Sequence, residues 1–302
     1  MSQGADSVKS IIYALAANLF IAISKLVAAI ITGASSMMAE SIHSFADTAN
    51  QVLLLYGLKK SKQPSSLEHP LGYGKTIYFW SFIVAIMLFS MGGLFSIYEG
   101  WHKLHAPEPI NSPMIAIGVL VAAIIAEGFS LLGCIREINK ERRGRGFYQW
   151  FKETRQSELL VVFGEDIAAL LGLVFALAAL SLAIVTGNPA WDALGSIVIG
   201  VLLITIAFFI GKEVKALLIG QGVEPSVHQQ MVSFLEQQPQ VAKVYNLLSM
   251  QMGDNIMIAI KANMTEVETA DDLVKAINDV EAAFKQQFTG VAWLFFEPDN
   301  ND

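Results

Sequence analysis

The chain has 302 residues, 54% of them hydrophobic and only 16% charged, with a formal net charge of −7. A soluble domain carries roughly a quarter charged residues, so the composition excludes an ordinary globular enzyme and points to membrane spans. The single cysteine, Cys134, excludes an intrachain disulfide framework and reads as a packing residue in an apolar run.

The first ten residues, "MSQGADSVKS", are short and polar, and the apolar run behind them is too long for a signal-peptide core. They favour a bacterial inner (plasma) membrane over an organelle. Six segments, near 8–33, 36–58, 76–99, 112–134, 158–186 and 189–211, meet the requirement of about 20 apolar residues for a span. The expected fold is therefore a polytopic α-helical membrane protein with six transmembrane helices over residues 1–211. Loop charge sets its orientation. Lys59, Lys60, Lys62 and Lys75 follow the second segment, and Arg136, Lys140, Arg142, Arg143, Arg145, Lys152 and Arg155 follow the fourth, whereas the opposite side has only Lys103. Both termini are expected in the cytoplasm.

From Lys212 to Asp302 the composition changes: six lysines face thirteen acidic residues, which accounts for the whole net charge. Alternating runs "VAKVYNLLSMQMG", "NIMIAIKANM" and "VAWLFFEP" predict three strands. Helical patterns near 224–238 and 268–287 surround them, the second opening on "TADD", with acids suited to a helix N-terminus. The order αββαβ predicts a small C-terminal cytoplasmic α+β domain over residues 212–302.

The second segment is the least apolar. Glu40, His43, Asp47 and Asn50 are spaced three, four and three apart, so on a helix they form one stripe. Each ionisable group at membrane depth costs roughly 2.5–3.5 kcal/mol on insertion scales, and lipid cannot solvate such a face. The fifth segment has its own polar point, Glu165 and Asp166 in "VVFGEDIAALLG". Neighbouring residues on a helix point about 100° apart, so only one of the two acids is expected to reach a shared site. If the second and fifth segments pack together, His43, Asp47 and Asp166 lie at comparable depth. An imidazole with two carboxylates suits a divalent transition metal such as zinc. A hydrogen-bond network that fixes helix packing is the plainer alternative, but four groups in register plus a facing acid favour functional use.

"TGASSMMAESIHSFADTANQ", the loop "HPLGYGK" and "GEDIAALLG" together resemble the cation diffusion facilitator family of zinc transporters. The resemblance runs over nearly the whole chain. It implies a homodimer, joined through the C-terminal domain and the membrane helices, that exchanges a divalent metal for protons with no permanently bound cofactor. It also implies metal ligands at His43, Asp47 and Asp166. The position four residues before Asp166, where the family commonly has another ligand, is Val162. The chain thus resembles the branch with a Glu-Asp pair in the fifth span, which includes the mitochondrial zinc exporter of animals. Glu165, Asn50, Asn18 or a water is left for the fourth ligand.

Two further family sites look weakened. His69 stands in the loop after the second segment, but its expected partner position is Tyr73, and the C-terminal domain has only His228, read as a solvated helix residue. His102 and His105, beside Trp101, read as an interfacial anchor, as does the basic-aromatic run "RGFYQWFK". Lys25 in the first segment reads as snorkelling toward headgroups, with pairing to an acid as the alternative. No His-Glu-x-x-His or activated-serine pattern occurs and nothing else supports nucleic acid, so the expectation is a transporter, not an enzyme. It would expel zinc from the cytoplasm by proton antiport. His43 would be the titrating member, since an unperturbed imidazole has a pKa of about 6.5. Other divalent metals (Mn, Fe, Co, Cd) and, behind them, an organic cation are the alternatives.

Overall fold

The computed structural model describes residues 2–106, 109–142 and 144–301; for residues 2–14 and 17 it describes the backbone alone. The chain divides into two compact units. One comprises residues 1–57, 80–146 and 158–214, and the other residues 58–79, 147–157 and 215–302.

The helices before residue 220 are α1 (Ser2–Thr32), α2 (Ser35–Ser61), α3 (Thr76–Met87), α4 (Phe95–His105), α5 (Pro113–Glu141), α6 (Phe147–Glu153), α7 (Ser157–Thr186) and α8 (Ala190–Ile219); the short α6 belongs to the second unit, and the others fall wholly or mostly in the first. A π-helical stretch, Leu88–Leu94, joins α3 to α4. Among the described residues four helical rods are long and apolar enough to cross a membrane: Thr76–His105, α5, α7 and α8. The described apolar part of α1 is the shorter Asn18–Thr32, and α2 carries the polar stripe. Both α5 and α8 run on past the ends expected for them, by seven and eight residues. An acid-poor apolar stretch reads as ending at the first charges, yet Arg, Lys and Glu are good helix formers that carry the helix further.

Small residues set the closest helix crossings. Gly93, in the π-helical stretch, and Gly200 of α8 lie back to back, so that a Cβ at either would strike the other strand of backbone or an isoleucine beside it. Such small-residue contacts let membrane helices approach without a hydrophobic drive. At the N-terminus of α2, the buried Asp192 of α8 takes the place of a local cap. Its carboxylate accepts from the Ser35 amide at 2.6 Å, the Ser35 hydroxyl at 2.9 Å, the Ser36 amide at 3.4 Å and the Ser36 hydroxyl. Helix N-termini favour negative charge, and bonds to a charged group contribute about 1.5–3 kcal/mol. Asp192→Ala is therefore expected to destabilise the detergent-solubilised protein by about 2–4 kcal/mol, read as a fall in its thermal unfolding midpoint. An unchanged midpoint would contradict the capping role.

The second unit contains a three-stranded sheet, β1 (Val241–Met252), β2 (Asn255–Met264) and β3 (Val291–Pro298), in the order β1-β2-β3. The first two strands are antiparallel, and β3 is parallel to β2 after the crossover helix α10 (Ala270–Gln287). With α9 (Pro225–Glu236) the order is the expected αββαβ. Thr269 caps α10 by accepting from the Asp272 amide, as "TADD" suggests. Leu235, Ile258, Ile260, Val280 and Phe284 form the core between sheet and helices. His228 is not simply solvated: its Nε2 lies 3.0 Å from the Leu247 carbonyl and ties α9 to β1. Trp150 of α6 is buried in protein, and Arg155 Nε donates to the Gly222 carbonyl at 2.6 Å. Gly74 lies so close to Met252 and Gly253 in the β1–β2 turn that a Cβ there would overlap the Met252 carbonyl.

Candidate functional site

The polar stripe of α2 faces α7. Asn50 Nδ2 donates to Glu165 Oε1 at 2.6 Å. Further along, Glu40 Oε1 sits where a side chain on Gly172 would otherwise stand. These two cross-links run in opposite directions along the two helices, so α2 and α7 are antiparallel and Asp47 comes level with the Glu165–Asp166 turn. The packing that the sequence reading had to assume is present, and Gly172 is what lets Glu40 approach.

Between these helices lies a polar cavity of about 30 Å³, room for about two or three waters at the ~10–15 Å³ each requires. Helix α2 contributes Ser44, Asp47 and Gln51 to its wall, and α7 contributes Val162, Glu165, Asp166 and Ala169. The other walls are Asn18 and Ile21 of α1 and Glu127 and Ser130 of α5. Four carboxylates thus meet one small space, and among the described residues no lysine, arginine or histidine lines it. Ser130 Oγ donates to Asp166 Oδ1 at 3.2 Å. Among the described residues Asp166 Oδ2 and Asp47 Oδ1 have no hydrogen-bond partner although both are buried. Leaving such an atom unsatisfied costs about 1–3 kcal/mol, and more when it is charged.

The expectation that only one of Glu165 and Asp166 reaches a shared site is corrected here. They do point apart, Glu165 to Asn50 on α2 and Asp166 to Ser130 on α5. The cavity is bounded by both of those helices, so it receives both acids. His43 is fully buried, with Nδ1 3.5 Å from Asp47 Oδ1, and neither ring nitrogen has a hydrogen-bond partner. It stands behind Asp47, off the cavity wall, with its ring beside Gly92 of the π-helical stretch. Single π-turns often mark functional positions in helices. Asn50 is likewise held off the wall by its bond to Glu165. Among the described residues no three His, Cys, Asp or Glu side chains already converge closely enough to hold a metal ion.

Lys25 does not snorkel. It is fully buried, donating to Ser44 Oγ at 2.7 Å and standing 3.4 Å from Glu40 Oε2, itself fully buried. A buried ammonium in an apolar helix is stable only with such partners, and Glu40 is thereby occupied by a lysine. The other histidines are placed differently. His69 is exposed and stacks on Tyr73 at 4.4 Å. His105 packs on Trp101 and His102 on Tyr98, each one turn back along α4, in keeping with an aromatic anchor. Sequence reasoning missed Glu127, although the signal was available: it is the fifteenth of the 29 residues of α5, at the middle of an apolar span.

A family model for the cation efflux transmembrane domain matches residues 11–219. The chain belongs to the cation efflux family. Within that family it is 38% identical over 231 residues to the proton-coupled zinc antiporter SLC30A9, mitochondrial, of Xenopus laevis, a match covering 76% of this chain and 41% of that protein. The human counterpart is 37% identical over 232 residues, with the same coverage. The chain thus spans about two-fifths of the length of these vertebrate relatives. It is also similar to the cation-efflux pump FieF of Yersinia pestis, at 25% identity over 269 residues, 88% of this chain and 84% of that one. This cation efflux protein therefore has relatives in both mitochondrial and bacterial settings, and the likeness to SLC30A9 matches the branch its Glu-Asp pair suggested.

Proposed function

We propose that the protein carries a divalent transition-metal cation, zinc foremost, out of the cytoplasm in exchange for protons, by alternating access around the cavity between α2 and α7. The observation that carries this reading is a space of about 30 Å³ lined, among the described residues, by four carboxylates and no cationic side chain. Such a space, walled by acids, suits a small dication, whereas an organic cation calls for an aromatic-lined cavity and no aromatic side chain lines this one among the described residues. Metal ligands must be deprotonated, so loading a cation there releases protons, and protons arriving from the far side compete it off. Asp47 and Asp166 act as ligands, each with a buried oxygen free to coordinate. His43 joins them by a small shift toward Asp47, with Glu165 and Asn50 as supports.

Six spans and cytoplasmic ends belong to the same proposal, supported by the one-sided Lys and Arg content of the loops. So does pairing of two copies through the C-terminal domain. Leu248 and Phe295 align across the sheet through Ala259 and are 61% and 57% exposed, an apolar row on an otherwise acidic domain.

A second reading concerns the metal alone. Because His43 stands off the wall, the lining offers only oxygen donors, which suit manganese better than a nitrogen-containing set would. Proton flux in proteoliposomes driven by zinc, manganese, cobalt, cadmium and iron separates the two. A zinc preference that His43→Asp erases supports the histidine as ligand; a manganese preference in the wild type supports the oxygen-only site. No flux with any divalent metal would contradict the proposal.

A further inference from the structure

Glu127 has no part in the site as the sequence describes it, yet it reaches the same cavity from a third helix. It stands midway along α5, where an acid is costly and is retained for function by default. Its carboxylate opens on the space shared by Asp47, Glu165 and Asp166. One turn further on, Ser130 holds one oxygen of Asp166, while the other, on a side chain only 9% exposed, is buried with no hydrogen-bond partner among the described residues. Asp47 Oδ1 is unpartnered in the same way. Two carboxylate side chains that line this cavity thus each have an oxygen without a hydrogen-bond partner, and beside them on α7 stands Val162, which has no donor atom.

We infer that Glu127 supplies the ligand that Val162 cannot, completing an oxygen-rich set with Asp47 and Asp166 so that α5 takes part in binding the transported dication. This rests on the transport site proposed above. Its chemistry is simple coordination: a deprotonated carboxylate donates a lone pair to a divalent cation. A long, unbranched glutamate on the facing helix can reach across a space of this size, whereas the asparagine on α2 is committed to Glu165. Metal capture would then draw α5 toward α2 and α7, which gives binding a mechanical consequence that two helices alone lack.

The test uses the full chain in lipid nanodiscs, with zinc and cadmium binding measured by calorimetry and the unfolding midpoint of each metal-free variant as a control. Glu127→Gln, which keeps shape and loses charge and donor strength, is expected to weaken zinc binding by about 10–100-fold, the range seen when partners of a metal site are removed. Glu127→Asp retracts the carboxylate by about 1.5 Å and is expected to give intermediate affinity with an altered zinc-to-cadmium ratio. Asp166→Asn is the reference for the site itself. If Asp166→Asn loses zinc binding while both Glu127 variants match the wild type in affinity and metal ratio, the role of Glu127 is overturned and the site stands. If Asp166→Asn also binds as the wild type does, both are overturned. Should Glu127→Gln fail to fold, Glu127→Asp decides alone: wild-type affinity and metal ratio would overturn the inference.

Discussion

Asp47→Asn and Asp166→Asn are each expected to reduce zinc-driven proton flux in proteoliposomes by about 100-fold or more, because even the outer partners of a metal ligand carry 10–100-fold. The substitution keeps volume and most hydrogen bonding, so what it removes is one negative charge from the site proposed to hold a dication. Among the described residues both side chains have a buried oxygen with no partner, an arrangement that costs stability in the metal-free state and that the proposed cation would relieve. Structural carboxylates behave in the opposite way. Asp192, whose oxygens accept from four donors at the N-terminus of α2, would lose stability on substitution without a specific loss of metal affinity. Transport at the wild-type rate in either Asp47→Asn or Asp166→Asn would contradict the assignment of that residue as a ligand.

The largest expected effect on stability comes from Lys25→Met. Removing one partner of a buried ion pair leaves the other charge uncompensated and costs about 3–5 kcal/mol. Here the remaining charge would be Glu40, which is fully buried and already has Oε1 without a partner. The double variant Lys25→Met/Glu40→Gln is expected to recover most of the loss, because a neutral pair of similar volume is often as stable as the buried ion pair it replaces. Thermal unfolding of the two variants in detergent checks this. If Lys25→Met unfolds at the wild-type temperature, Lys25 reaches the headgroups after all and the ion pair is incidental.

The helical order, the αββαβ domain and the polar face of α2 were legible because each is a periodicity, and periodicity survives in a single sequence. Glu40, His43, Asp47 and Asn50 at spacings of three and four can only lie on one face of a helix, and that face does meet α7. What lies on the partner helices was less legible. The 100° between Glu165 and Asp166 argues against a shared site when only α2 is facing them; the cavity has α5 as a second wall, and each acid faces a different neighbour. Glu127 was overlooked because it is a solitary acid with no motif around it, although its central position in α5 was itself a signal. Lys25 and Glu40 are fifteen residues apart on different helices, and no local rule tells a paired lysine from a snorkelling one. The π-helical stretch beside His43 likewise had no advance sign beyond the adjacent Gly92 and Gly93.

The relation between α2 and the metal also becomes more specific. The stripe is not one site but three successive tasks along a helix. Glu40 neutralises Lys25, His43 and Asp47 form a pair at the cavity edge, and Asn50 orients Glu165. Of the stripe residues only Asp47 lines the cavity, which narrows the search for ligands to the level of Asp47 and Asp166.

The central claim, zinc exchanged for protons at this cavity, is tested most directly by radioactive zinc uptake into proteoliposomes across an imposed pH gradient. The account predicts uptake that requires the gradient, stops when an ionophore collapses it, and is lost in Asp166→Asn. Uptake that persists without the gradient, or that Asp166→Asn leaves intact, would contradict it.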